Sequence, residues 1–489
     1  MVSYLFWIYY STTAPGLSWA NGGSDGGGLI AAAATSGIAH PSGYPVYLLL
    51  AKLFQALPFG SLAFRTNLLS CVAMTAASYW IFGIIDRSTW ISNIGHRKIA
   101  GIIAGLAFGT SPIAWSQAVI TEVYALHVFF VTLTLYMISD PLLDVQRTKK
   151  VFVIGIVLGL ALGNHITSIL LVPPIVVFVG TKKKTAMGDS GGSLIRKWRV
   201  VWKDLVRLLA GMSLTLSSYL VLPLWASHHP PVNWGNPVTL NNFIWLVTGE
   251  LYQDQLVFWS QWPLLERLQD WARLLLQQFG ILGLVFAVIG LVVAFVPNRI
   301  YTMTLWIALS GSVFAMTYQV VDWHIHLIPV YAVFGIWIGF GFSEIIEFSS
   351  NRSKVFGLIL SVSVVIYFIY LAANTWKQVD ASESMDAQNF GQQLIDDLPE
   401  NAIVFADGDR TVFTLWYFHY ALKNRSDIFV IAIDLLPFDW YRETLLVTYP
   451  GLEMPLLTTN NWQDSIVELN SAYPACFPFF SDVTVLNCR

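Results

Sequence analysis

The chain has 489 residues, of which 55% are hydrophobic and 12% charged, with a formal net charge of -3. A soluble protein of this length carries about twice that charged fraction, so composition excludes an ordinary soluble fold. No basic block marks a nucleic-acid partner, and the three cysteines offer no metal-ligand spacing.

Apolar runs recur near the roughly 20-residue length of a bilayer-crossing helix. The predicted spans are 1–14, 62–85, 98–115, 118–138, 151–163, 165–180, 204–226, 275–297, 300–320, 323–348 and 355–373. The first is short and lacks the charged n-region and cleavage site of a signal peptide, so we expect the natural start to lie upstream. The run 151–180 is expected to break at Gly163-Asn164-His165 into two short helices.

Between the first two spans lies NGGSDGGGLIAAAATSGIAHPSGYP, from Asn21 to Pro45. It holds Asp25 in a run of glycines, followed by His40 and Tyr44. Glycines let a backbone bend tightly beside a ligand, and an acid held that way at the mouth of a membrane bundle is a candidate general base. An N-cap for a helix starting near Leu29 is the alternative reading of Asp25.

Ionisable residues in or beside apolar spans are costly and are candidates for function. Glu122 sits at the outer start of the 118–138 span, with His127 five residues on; a favourable helix-dipole contact is the bland reading of Glu122. Asn164 and His165 at the break serve either a ligand or a hinge. The segment Pro230–Tyr252 carries Trp234 among asparagines and glycines, a composition suited to sugars, although Trp is also common at membrane interfaces. Asp322 and His326 share one face if their segment is helical. Phosphate or acceptor contact is favoured there over metal, because three ligands must converge and no second cluster is evident. No metal site and no cofactor are expected.

Polar residues return in Asp380–Arg489. Asn401–Asp407 reads as a buried strand, Thr411–Leu422 as a helix, Ile428–Ile433 as a second strand and Phe438–Val447 as a helix, which makes a small α/β unit. Gly408-Asp409-Arg410 is too short a fragment for a phosphate loop. Cys476 and Cys488 are able to pair if the region is extracytoplasmic.

Charge sets the sidedness. Loops 86–97, 139–150, 181–203, 298–299 and 349–354, with flanking Lys98 and Arg207, hold 17 of the 27 basic residues. The opposite membrane loops hold Lys52, Arg65, Arg267 and Arg273. By the positive-inside rule the first face is cytoplasmic. Asp25, the first external loop 15–61, the external loop 227–272 and the tail are then extracytoplasmic. The expected fold is an α-helical polytopic membrane protein of about eleven spans. It divides into a membrane domain, 1–373, and a soluble α/β domain, 374–489.

The segments SDGGGLIAAAATSGIAHPSGYPVYLLLAKLF, SPIAWSQAVITEVYALH, NWGNPVTLNNFIWLVTGELY, YQVVDWHIHLIPVY and PENAIVFADGDRTVFTLWYFHYALKNRSDIFVIAIDLLPFDWYRETL occur in that order. Together they resemble the membrane family that includes the eukaryotic O-mannosyltransferase acting on plexin-type receptor domains and its bacterial relatives. The resemblance runs from about Tyr4 to Leu446 and implies the GT-C class of multi-span glycosyltransferases, with an essential acid in the first external loop at Asp25. Members of that family usually read Asp-Ser-Gly-Glu there, whereas this chain reads Asp25-Gly26-Gly27-Gly28.

The function implied is inverting transfer of a sugar from a polyprenyl- or dolichyl-phosphate donor to a hydroxyl of a protein or glycan. Asp25 and Glu122 are the catalytic candidates. His40, Tyr44, Lys52, Arg65, His127, Asn164, His165, Trp234, Asp322 and His326 are candidates for binding donor, phosphate or acceptor. The expected location is a bacterial plasma membrane with the site extracytoplasmic. A transporter or flippase, or an inactive family scaffold, is the alternative.

Overall fold

The computed structural model describes residues 1–89, 91–143, 146–180, 194–256, 264–293, 299–455, 461–479 and 485–488. Lys182, Lys183 and Lys184 of the charge count, and part of the 227–272 loop, lie outside the described residues. The first helices are α1 (Val2–Thr12), α2 (Gly26–Thr35), α3 (Pro45–Gln55), α4 (Leu62–Asp86), α5 (Ile94–Gly109), α6 (Pro112–Ala118), α7 (Tyr124–Ile138), α8 (Arg147–Asn164) and α9 (Val172–Gly180). There follow α10 (Leu194–Leu216), α11 (Val221–Ala226), α12 (Leu240–Thr248), α13 (Leu264–Val293), α14 (Arg299–Thr317), α15 (Ile328–Arg352) and α16 (Lys354–Val379). The tail adds α17 (Asp386–Asp397), α18 (Gly408–Trp416), α19 (Asp439–Thr448) and α20 (Trp462–Leu469), with strands β1 (Ile403–Ala406), β2 (Phe429–Ala432), β3 (Ala475–Phe479) and β4 (Val485–Cys488).

Local chemistry fixes the helix ends. The Ser61 hydroxyl accepts the Phe64 amide at 3.0 Å and opens α4. Asn93 does the same for the Gly95 and His96 amides at the start of α5. Pro45 and Pro112 stand in the first turns of α3 and α6, where no amide donor is required. Pro112 also breaks the predicted 98–115 span, because it has no amide to continue the α5 ladder. The chain turns by 71° between α5 and α6.

Among the described residues, six helices are long and apolar enough to cross a membrane: Leu62–Asp86, Val201–Ala226, Leu264–Val293, Arg299–Thr317, Trp323–Arg352 and Lys354–Val379. The bent α5–α6 pair makes a seventh. The expected count of about eleven also drew on α1, α7, α8 and the 165–180 segment. These are helical but shorter, and α8 carries Arg147, Lys149 and Lys150 in its first turn.

The apolar segment of Trp323–Arg352 is 94% buried and runs through the centre, whereas that of Lys354–Val379 is 28% buried and lies on the rim. Val355, Leu358, Ile359, Val362 and Ile366 of α16 all face outward. So continuous an apolar surface is costly in water and neutral against lipid. Inside, glycines let backbones touch. A Cβ on Gly290 of α13 would collide with the Trp337 carbonyl of α15, and one on Gly341 of α15 with the Phe286 carbonyl of α13. Close backbone approach of this kind drives helix pairing where lipid and side chains are equally apolar.

The tail sheet has the order β2-β1-β3-β4. β1 is parallel to β2 and β3, and β4 is antiparallel to β3. β1 is buried throughout, as a central parallel strand must be. The two predicted strands are β1 and β2. The predicted 411–422 helix starts earlier, at Gly408, and after Trp416 widens into a π-helical turn over Tyr417–Ala421. Cys476 and Cys488 face each other across β3 and β4 and form a disulfide.

The tail clasps the first loop. The Ala381 amide donates to the Thr12 carbonyl at 3.0 Å, and Asn21 donates to the Val379 carbonyl at 2.9 Å. The Ser18 and Ser384 hydroxyls meet at 2.7 Å. Above them α18 lies directly on α2. The bare face of Gly27 meets the Phe413 carbonyl, and Gly28 meets the Phe413 ring. An acid at position 28 has no room beside that ring.

Gly27→Ala should therefore lift α18 off α2 at a cost of about 2 kcal/mol, the scale of overpacking. Thermal unfolding in detergent should show a lower midpoint, and limited proteolysis faster cleavage of the tail. A variant as stable as the parent would refute the contact.

Candidate functional site

Asp25 immediately precedes α2, yet its carboxylate makes no capping bond. Instead Oδ1 accepts from the Ser24 hydroxyl at 3.3 Å, and Oδ2 lies 3.6 Å from His40 Nε2. The Asp25 side chain is 34% exposed and that of His40 11% exposed, so a substrate can reach the acid while the imidazole stays fixed. Three rings hold His40: Tyr44 at 5.1 Å, Trp234 at 6.3 Å and Phe413 at 6.4 Å. Tyr44 itself has φ 44, a left-handed conformation that costs a tyrosine on the order of 1–3 kcal/mol. Its hydroxyl donates to the Pro41 carbonyl at 3.0 Å and helps hold that geometry.

A second cluster continues from Tyr44 into the bundle. The Tyr44 ring lies 6.2 Å from His165, which lies 4.9 Å from His127 and 5.9 Å from His326. Tyr124 packs against both His165 and His326, and Tyr318 against His326 at 5.2 Å. Hydroxyls fix the imidazoles. Thr167 Oγ1 lies 2.7 Å from His165 Nδ1 and 3.3 Å from His127 Nε2, and Ser168 Oγ lies 3.1 Å from His127 Nδ1. Such bonds select tautomer and ring orientation. A small cavity of about 30 Å³ opens beside them, with His127, Thr167 and His326 at its polar side and Leu170, Ile307 and Phe314 on its apolar walls.

The break predicted at Gly163-Asn164-His165 makes this cluster possible. α8 ends at Asn164, His165 is extended, and a 3-10 turn over Ile166–Leu171 presents Thr167 and Ser168. Asn164 donates to the Val123 carbonyl at 3.3 Å, while its buried Oδ1 has no partner among the described residues. Glu122 is 6% exposed, just ahead of α7, within electrostatic reach of Asp25 and Asp322.

Asp25, His40, Tyr44, His127, His165, His326 and Trp234 are thus joined by direct contacts, with Glu122 and Asn164 beside them. Lys52 and Arg65 are not in this group. Lys52, in the last turn of α3, reaches the far end of α2, where Nζ donates to Ser36 Oγ at 2.7 Å and to the Ala33 carbonyl at 3.3 Å. Arg65 Nη1 donates to the Gln55 and Leu57 carbonyls at 2.6 and 2.7 Å, and Nε to the Ser61 carbonyl at 3.3 Å. Both cations tie off helix ends. Asp322 precedes a 3-10 turn, not an α-helix, so the expected shared face with His326 does not form. Among the described residues no three His, Cys, Asp or Glu side chains are grouped to hold a metal. The sequence reading missed Ser24, Tyr124, Thr167, Ser168, Tyr318 and Phe413. Only the position of Thr167 and Ser168 directly after the predicted break could have pointed to them.

The model of the Protein O-mannosyl-transferase TMEM260 N-terminal domain matches residues 25–187, and that of TMEM260-associated domain 2 matches residues 387–467. The Protein O-mannosyl-transferase TMEM260 of Mus musculus is 24% identical over 88% of the chain. The Protein O-mannosyl-transferase tmem260 of Dictyostelium discoideum is 22% identical over 92% of it. The chain spans only 62% and 58% of the length of these two relatives. Among solved structures, ArnT from Cupriavidus metallidurans bound to undecaprenyl phosphate has the same fold, with a TM-score of 0.63 and 12% identity over 98% of this chain and 92% of that one. The Archaeoglobus fulgidus oligosaccharyltransferase AglB, in complex with an inhibitory peptide and a dolichol-phosphate, matches with a TM-score of 0.52 and 10% identity over 100% of this chain and 73% of that one.

Arg65 supplies a test that separates site from scaffold. Arg65→Ala should lower the thermal midpoint in detergent, by about 2 kcal/mol of stability, because charge-assisted bonds to part-buried carbonyls are lost. Arg65→Lys should recover only part of it, since an ammonium does not span two carbonyls as the guanidinium fork does. An unchanged midpoint would free Arg65 to serve the site.

Proposed function

We infer that this chain, which carries both matched domains of the TMEM260 O-mannosyl-transferase family on a GT-C fold, is a lipid-phosphate-dependent glycosyltransferase of the inverting type. The observation that carries the reading is Asp25: a reachable carboxylate with no capping duty, 3.6 Å from an immobilised imidazole. Asp25 Oδ2 takes the proton of an acceptor hydroxyl as that oxygen attacks the anomeric carbon. The bond from that carbon to the lipid-phosphate oxygen breaks, and the phosphate leaves with the electron pair. The transition state is oxocarbenium-like, as in glycoside chemistry generally. His40 orients the carboxylate.

The leaving phosphate needs donors, and His127, His326 and Thr167 stand where polar side chains meet the apolar wall of the small cavity, with His165 packed against both imidazoles. That combination suits a phosphate headgroup followed by an isoprenoid tail. ArnT with undecaprenyl phosphate and AglB with a dolichol-phosphate support the donor class, and the peptide on AglB supports a protein acceptor. Lys52 and Arg65, occupied with carbonyl oxygens, are left out of the phosphate set.

Eleven crossings result if α1, the α5–α6 pair, α7, α8 and the 165–180 segment each span alongside the six long helices. The charge count then puts Asp25, Trp234 and the soluble unit 374–489 outside the cytoplasm. The Cys476–Cys488 disulfide fits an oxidising compartment.

Asp25→Asn should lower sugar transfer from a polyprenyl-phosphate mannose at least about 100-fold, the scale of general-base loss, with elution and thermal midpoint unchanged. Full turnover by that variant would sink the role. A transporter or an inactive scaffold would leave the donor intact even in the wild-type protein.

A further inference from the structure

The tail brings an acid of its own to this site. Asp409, Phe413 and Trp416 fall at i, i+4 and i+7 of α18, on one face of the helix. Two of the three are seen against the elements that hold Asp25. Phe413 covers Gly27 and Gly28 and lies over His40 at an interplanar angle of 23°. Trp416 packs on Trp234 at 6.3 Å, and Trp234 packs on His40. Asp409 extends the same stripe one turn further. It is solvent-exposed, and Tyr252 of the external loop stands within electrostatic reach of both Asp409 and Asp25.

An acid in the first turn of a helix has a purely structural use, since it complements the helix dipole. That use predicts a carboxylate that is comfortable when charged. Asp409 is the opposite case. Although the side chain reaches solvent, the protein around it removes part of its water, and this, then the charge of Asp25, push its carboxyl up from the ordinary value, against the opposing pull of His40. Its cost to folding is therefore absent below the unfolded carboxylate pKa and fully present once pH exceeds the raised folded value. An exposed carboxylate one helical turn from the ring that covers His40 is placed to meet whatever approaches Asp25.

We propose that Asp409 is a further acceptor-binding residue, whose carboxylate accepts a hydrogen bond from the acceptor beside the hydroxyl that Asp25 deprotonates. The inference rests on the glycosyltransferase reading. It gives the tail a direct part in acceptor recognition, while the donor stays with the membrane helices.

The test uses the full chain in detergent, a short polyprenyl-phosphate mannose as donor and a threonine-containing peptide as acceptor. Asp409→Ala should raise the peptide KM at least tenfold and leave the donor KM within twofold. Asp409→Glu should recover part of the peptide KM. Asp409→Asn should match or exceed the wild-type thermal midpoint at neutral pH, which a structural acid would not allow. A wild-type peptide KM in Asp409→Ala, or a lowered midpoint in Asp409→Asn, overturns the inference alone. A wild-type protein that consumes no donor or ignores the peptide overturns the glycosyltransferase reading and this inference with it.

Discussion

Everything at the site depends on one close contact, that of α18 with the glycine run at the start of α2. A helix that begins with three glycines offers bare backbone, and the Phe413 carbonyl and ring use it. A side chain at Gly27 or Gly28 would hold the two helices apart. The contact fixes Phe413 over His40, and His40 in turn faces Asp25. The orientation of the acid thus depends on a residue from the tail, reached through one ring contact and one imidazole–carboxylate contact and not through a covalent neighbour.

Beneath this layer a second requirement operates. Imidazoles and hydroxyls enclosed by apolar helices need partners, because no bulk water supplies them. The chain meets that need by breaking a helix. With α8 ended at Asn164, Thr167 and Ser168 come free to bridge His127 and His165, and Trp306 Nε1 reaches the Leu170 carbonyl at 2.8 Å. The same break frees Asn164 Oδ1. Polar satisfaction and site construction are here one arrangement. Far from it, Arg147 and Arg207 share the Asp204 carboxylate. That network lies with α8 and α10, whose backbones meet through Gly155 and Gly211.

Much of this was legible in the sequence, for physical reasons. Composition and apolar length announce the membrane helices. Gly163-Asn164-His165 announces the break, because glycine and a polar pair in an apolar run are poor helix interior. β1 and β2 are legible as short apolar runs between turn residues. Other features were hidden by their nature. The bend at Pro112 splits a run that hydropathy reads as one. β3 and β4 are short, and Pro478 argues against a strand from sequence alone. From the sequence Lys52 and Arg65 are candidates for a phosphate, and nothing local reveals that carbonyl and hydroxyl oxygens already occupy them. Phe413 could not be assigned either. A phenylalanine in an amphipathic helix reads as core, and only the fold shows that it packs against another unit's glycines.

The α2–α18 contact also has a consequence in time. Asp25 leaves the ribosome early, and Phe413 only after nearly all the membrane helices have been made. Until α18 arrives, the acid loop lacks the ring that steadies His40. A nascent or truncated chain therefore holds the proposed catalytic carboxylate in an unfinished setting, and the candidate site is completed late in biosynthesis. Because contacts so distant in sequence form slowly, that last docking step is a natural point for quality control to inspect the chain.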